Sequence, residues 1–328
     1  MIASPRIADP ADEESVVPHD GHEPVLLDEA MELLAAQPGR VLVDATLGLG
    51  GHAEAMLERV GPSGRVVGID RDPIALERAR TRLSRFGKAF TAIRGNHRDL
   101  SQLLGEHGID AVDGFLFDLG LSSMQLDAPE RGFSFRFDGP LDMRMDPDSP
   151  TSAADLLADL SEDEIRRILW RYGEERRARA IARAIVADRV QKPFRTTLQL
   201  AELVRRVAGP RALRYRIDPA TRTFQAFRIA VNGEIDDLSE TIMAAERMLR
   251  PGGRLVLISF HSLEDRCVKR TLRGLATRCV CPPRLPVCGC GRKDRVRLLT
   301  SRPVSADTTE NSRNPRARSA KMRAAEKI

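Results

Sequence analysis

The sequence predicts an α/β protein: a Rossmann-like parallel sheet, discontinuous along the chain, with a small α-helical domain inserted into it. Three observations predict it. Between Val25 and residue 117 short apolar runs alternate with helical patterns, which is the signature of βαβ units and a mostly parallel sheet. Residues 151–208 then show helical periodicity without a strand, and strand character returns at Gly253–Phe260. The 328 residues exceed one ordinary domain. A content of 42% apolar residues can build a core, yet no run approaches the roughly 18 residues of a membrane span.

The elements follow in order. A helix is expected at Val25–Leu34, and buried strands at Arg40–Ala45, Arg65–Ile69, Ala89–Ile93 and Val112–Phe117. Helices His52–Val60 and Pro73–Phe86 separate the first three strands. Residues 127–150 are broken by repeated Pro and Gly, as in a functional loop or a boundary. Helices follow at Ser152–Leu157, at Ser161–Val190 with a break near Gly173, and at Thr196–Val207. One long helix is expected after Pro219, because Phe224, Phe227, Val231, Ile235, Leu238 and Ile242 share a stripe at 100° per residue. Its polar side, with Arg222, Gln225, Asn232 and Asp236, is either solvated or a contact for phosphates and bases. The strand Gly253–Phe260 then runs into a helix opened by a capping box at Ser262–Asp265. This divides the chain into an α/β domain (21–139 and 219–303), a helical insert (140–218), a disordered acidic tail (1–20) and a basic C-terminal tail (304–328).

A net charge of +5 says little, but its distribution is uneven. Residues 161–230 hold seventeen Lys or Arg against eight Asp or Glu, and residues 292–328 hold eleven against four. Two segments are basic. The first twenty residues lack the basic start and apolar stretch of a secretory signal, so a cytoplasmic protein is expected.

The strand Val41–Asp44 leads into Gly48-x-Gly50-x-x-Ala53, where glycines permit a tight turn and close approach of a ligand to the backbone. Asp70 ends the next strand, placed to accept hydrogen bonds from ribose hydroxyls. The pair points to an adenosine-bearing cofactor without separating a nicotinamide dinucleotide from S-adenosylmethionine. Asp118 ends the fourth strand, followed by a polar loop through Gln125 to Asp127. There a carboxylate could receive a proton from an exocyclic base amine, whose lone pair is delocalised into its ring. Equally, Asp118 could cap a turn or hold the cofactor. His261, at the end of the last strand, is either an edge residue of the site or a buried histidine bonded to backbone. Cys279, Cys281, Cys288 and Cys290 could form a thiolate metal site, a reversible disulfide or plain loop thiols, and no metal is assigned.

Ten motifs in order, from His22-Glu-Pro-Val-Leu-Leu-Asp-Glu29 through Asp44–Ala53, Gly68–Pro73, Asp113–Asp127, Gly139–Asp146 and Pro219–Gln225 to Ile258–Arg266 and Asn314–Ser319 among them, carry a resemblance over residues 19–328. The chain resembles the ribosomal small-subunit methyltransferase H (MraW-like) family, which methylates N4 of a cytidine in 16S ribosomal RNA. The resemblance implies a class I methyltransferase sheet and S-adenosylmethionine as cofactor. It implies cofactor contacts from Gly50, Gly51, His52, Asp70, His97, Asp118 and Gln125, with Asp118 the catalytic candidate. At His97 the family commonly carries an aromatic such as Phe, so stacking on adenine is the expected role. The implied partner is 16S ribosomal RNA in the small subunit or its precursor, recognised partly by the insert; a homodimer is left open. Two other readings compete: an RNA-binding ribosome-assembly factor without catalysis, and an NAD-dependent oxidoreductase.

Overall fold

Parallel strands covered on both faces must be apolar along both edges of the pleat, and those of this chain are. A computed structural model describes residues 23–210, 212, 217–277, 281, 289–290 and 293–328. The acidic segment 1–20, Cys279 and Cys288 lie outside the described residues. The strands are β1 (Val41–Asp44), β2 (Arg65–Asp70), β3 (Phe90–Arg94), β4 (Val112–Asp118), β5 (Leu249–Ser259), β6 (Val296–Leu298) and β7 (Lys321–Lys327). They form one sheet in the order β3-β2-β1-β4-β5-β7-β6, parallel through β5, with β7 antiparallel to both neighbours.

Alternate residues of each strand feed opposite faces. Leu42, Val66, Leu116 and Val256 pack against helices α1 (Leu27–Leu34), α2 (Gly51–Val60) and α3 (Pro73–Leu83). Val43, Val67, Phe115 and Phe117 face the other way, toward α4 (Leu100–Glu106) and two later helices. After β4 the chain leaves the sheet through the short α5 (Ser123–Asp127) and a loop. It then builds α6 (Ala153–Asp159), α7 (Glu162–Gly173), α8 (Ala178–Arg189), α9 (Thr197–Ala208) and α10 (Ala220–Asn232). These helices surround a core of their own, with Leu157, Leu169, Ile185, Leu200 and Phe227 at its centre. Capping boxes at Ser152/Asp155, Ser161/Glu164 and Thr196/Gln199 set the starts of α6, α7 and α9, each cap being worth about 1 kcal/mol. The sheet then resumes through α11 (Leu238–Met248), β5, α12 (Ser262–Leu275), β6, α13 (Thr308–Arg313) and β7. No helix among the described residues is long and apolar enough to cross a membrane.

Three expectations are corrected. The single long helix after Pro219 is two helices, because Gly233 takes the left-handed conformation (φ 61°) and ends α10. The break has a purpose in packing: Phe224 and Phe227 enter the helical core, whereas Leu238 and Ile242 enter the sheet core. The cap of α12 is His261, whose side chain accepts from the Glu264 N–H while Glu264 reaches back. The segment 304–328, expected as a basic tail, ends in β7 between β5 and β6. Arg323 is buried there only because Asp265 pairs with it at 2.7 Å.

Met322 on β7 is fully buried against the α1–α3 face. Met322→Ala should therefore lower unfolding free energy by about 2–5 kcal/mol, read from urea denaturation. A midpoint equal to the parent's would contradict the placement of β7 in the core.

Candidate active site

The order of the sheet reverses between β1 and β4, and a crevice opens at the carboxyl ends of strands at such a point. A cavity of about 310 Å³ lies there. Of the expected residues, Gly51, His52, Asp70, His97, Asp118 and Gln125 line it, while Gly50 does not.

Gly50 has φ +80°, which disfavours any side chain, and a Cβ there would come 3.0 Å from Leu83 Cδ1. A Cβ on Gly51 would lie 2.5 Å from Pro24 Cγ. The space these glycines leave is thus filled by α3 and by the segment before α1, and the tight turn follows from that packing. Asp70 holds the turn from β2: its Oδ2 accepts from the Gly48 N–H at 2.7 Å and its Oδ1 from the Asp72 N–H at 2.9 Å. Each oxygen keeps a lone pair, so ribose hydroxyls remain suitable partners.

Three carboxyl groups end adjacent strands. Burial pushes Asp44 up to about 7, opposed by the Thr46 N–H and helped by the charge of Asp70. Burial likewise raises Asp70, which is opposed by its two backbone donors. Asp118 is raised well above the ordinary range by burial and by the charges of Asp44 and Glu264. Its backbone N–H donates to Thr46 Oγ1 at 2.6 Å, joining β4 to the glycine turn, while its Oδ1 is buried without a hydrogen-bond partner. His52 Nε2 donates to the Val25 carbonyl at 3.1 Å, which turns Nδ1 toward Asp118 Oδ2, 3.7 Å away. His97 meets the edge of Phe117 with ring centroids 6.1 Å apart. Burial and the charges of Arg71 and Arg98 push it down to about 3, so it is a neutral ring with Nδ1 buried and unbonded. The orphaned oxygen of Asp118 and ring nitrogen of His97 suit a ligand that brings hydrogen-bonding groups. Buried carboxyls suit one that brings positive charge.

Gln125 is already engaged. Its Oε1 accepts from the Ser122 N–H and its amide donates to Asp72, which is fully buried and also receives Arg131 at 2.8 Å. Its chief work is locking the loop after β4. The polar side of α10 is also spent internally, with Gln225 on the Tyr172 carbonyl and Asn232 on the Met143 carbonyl and the Met145 N–H. The sequence reading missed Arg228, which shares that side of the helix, lines the cavity and binds Glu234 through two nitrogens. The α10 periodicity placed it between Gln225 and Asn232.

Glu234, His261 and Glu264 lie close enough to hold a metal ion. Yet Arg228 occupies both oxygens of Glu234, and Glu264 accepts from the Phe260 N–H and sits 3.1 Å from His261 Nε2. Burial pushes Glu264 up, but His261 and Arg228 outweigh it and hold the group below its usual value. The trio is an ion-pair network anchored by a buried arginine. Cys281 and Cys290 are both half-buried, and Cys279 and Cys288 of the four-cysteine group lie outside the described residues.

The last strand lies antiparallel between β5 and β6, and an acid ends β4 at the cavity; the family that this chain matches is one of methylases. The chain belongs to the MraW methylase family, which matches residues 19–328. It is 55% identical over 307 residues to the ribosomal RNA small subunit methyltransferase H of Trichlorobacter lovleyi, covering 94% of this chain and 98% of the relative. Proteins of the same name from Thermomicrobium roseum and Geobacter sulfurreducens are each 54% identical over 94% of this chain, covering 94% and 99% of their own lengths. That membership sets the nicotinamide reading aside.

Two outcomes follow from the carboxyl cluster. Asp44 titrates at about 7 in the folded protein against 3.8 ordinarily. Between those values the native state holds a proton that the unfolded chain has released, so stability falls as pH rises from about 4 to about 7. His97, pushed down, works in the opposite direction, so the comparison must be between parent and variant. Asp44→Asn should show a shallower fall over that window in urea unfolding; parallel pH curves would contradict the assignment. Asp118→Asn should lower kcat by about 10²–10⁴-fold, a loss that exceeds the accompanying weakening of cofactor binding. A loss wholly in cofactor KM would make Asp118 a binding residue only.

Proposed function

We propose that the protein transfers a methyl group from S-adenosylmethionine to N4 of a cytidine in 16S ribosomal RNA of the small subunit, acting in the cytoplasm. The RNA target rests on the name its relatives share. The chemistry rests on one observation, the buried Asp118 Oδ1 that no protein group satisfies at the edge of the cavity.

When bound, the cofactor supplies an electrophilic methyl group. Asp70, the glycine turn and His97 would hold its adenosine, through hydroxyl-accepting oxygens and a neutral aromatic ring. The residues of the chain must then orient a poor nucleophile and remove its proton. Asp118 is suited to accept a hydrogen bond from the exocyclic amine, which localises the nitrogen lone pair as the N–C bond forms. Asp118 would be held as the carboxylate by the positive charge of the bound cofactor and could then accept the proton displaced from N4, and its raised affinity would retain that proton once the charge is spent. His52 Nδ1 faces the same carboxyl with its lone pair, because Nε2 carries the hydrogen given to Val25. Most of the rate would come from holding reactants together in a site that excludes water, worth up to about 7–11 kcal/mol.

Transfer of labelled methyl groups to small-subunit particles, followed by nucleoside identification, tests the reading. The expected product is N4-methylcytidine. Label on another nucleoside would correct the target, and no transfer despite cofactor binding would favour an assembly factor without catalysis.

A further inference from the structure

A second depression, of about 970 Å³, adjoins the cofactor cavity and shares Arg316 with it. One wall is the segment 124–131 with Arg136, the other is Arg313–Arg316, and the amino-terminal end of α3 forms the floor with Ile74 and Arg78. Resting on the RNA reading above, we propose that this channel is the path of the single-stranded RNA that flanks the target nucleotide.

Three features carry the inference. A base that must reach the cavity has to leave its stack, so its neighbours in the strand lie at the mouth of the site, where this channel begins. The channel is lined by five arginines against three acids, and two of those acids are held by exposed pairs, Arg316 with Asp127 at 2.9 Å and Arg313 with Glu23 at 3.4 Å, while Glu130 is exposed. Such exposed pairs contribute little, whereas a phosphate offers arginine a charged bidentate partner. Exchange of carboxylate for phosphate is therefore nearly free. Arg136 is exposed and forms no ion pair among the described residues, and Ile74, which also lines the channel, is 48% exposed. Exposed apolar surface among arginines is what unstacked bases pack against. Arg131 plays no direct part, because it is committed to buried Asp72.

The test uses the full chain carrying Arg136→Ala and Arg313→Ala together, with Arg297→Ala on the edge strand β6 as control. Binding of labelled oligocytidylate is followed across salt concentrations, and methyl transfer to small-subunit particles is followed beside it. The double variant should raise KM for particles about tenfold. It should also flatten the slope of log affinity against log salt by about 1.4, or about 0.7 for each lost phosphate contact. Cofactor affinity by calorimetry and the urea midpoint should match the parent, and the control should match it in everything. If the parent transfers methyl groups while the double variant keeps KM and slope, the channel is not the RNA path. If the parent neither binds oligocytidylate nor methylates particles, the RNA reading itself falls. Loss of oligocytidylate binding in the control to the same extent would also overturn the proposal, since it would show a diffuse charge effect.

Discussion

Carboxyl groups buried at the ends of three adjacent parallel strands are the constraint on which this molecule depends. A charge removed from water must find donors or a counter-charge, or else hold its proton. Asp70 finds two backbone donors and thereby fixes the glycine turn; Asp44 finds one and stays half-neutral near pH 7; Asp118 is left with an unsatisfied oxygen. The gradient runs from structure toward chemistry. Asp70 shapes the pocket, Asp44 stores an electrostatic penalty behind it, and Asp118 faces whatever enters. A ligand bearing donors and positive charge relieves all three, so the protein is built to be completed by its cofactor.

The helical insert is held over that edge by polar clasps rather than by a continuous core. Asp72, wholly buried at the start of α3, gathers Gln125 and Arg131 from the loop after β4. Arg71 donates to the Asn232 carbonyl, and Asn232 in turn grips both Met143 and Met145. Arg228 and Glu234 close the same side at the end of α10, and Glu174 at the end of α7 receives Arg266 and Ser262 from α12. A clasp of this kind fixes orientation while leaving two cores separately packed, which explains why Gly233 must break the chain between them.

Most of the sheet was legible because buried parallel strands are apolar on both edges and the helices between them keep a 3.6-residue period. The motif acids were legible for a related reason: a charged residue at the end of an apolar run has few structural excuses. What could not be read was whatever depends on distant pairing. The run Lys321–Lys327 has neither strand alternation nor branched residues, and it is a strand only because β5 and β6 receive it and Asp265 neutralises Arg323. The stripe across Gly233 was a true stripe that served two cores, and periodicity cannot say which core a residue joins. Gln125 had the spacing of a ligand contact, and it lines the cavity, but its bonds to Ser122 and Asp72, which also lock the loop, could not be read from spacing. Arg228 carried the right helical phase, and only the folded position of Glu234 gives that phase a meaning.

Asp118 is a buried, under-satisfied carboxyl at the edge of the cofactor cavity. Its titration can be followed directly by carbon-13 resonances of side-chain carboxyls, assigned by comparison with Asp118→Asn, with and without S-adenosylmethionine. The midpoint should lie well above the ordinary aspartate value of about 3.9 in the free protein and fall when the positively charged cofactor binds. A midpoint near the ordinary value in the free protein, unchanged by the cofactor, would contradict it.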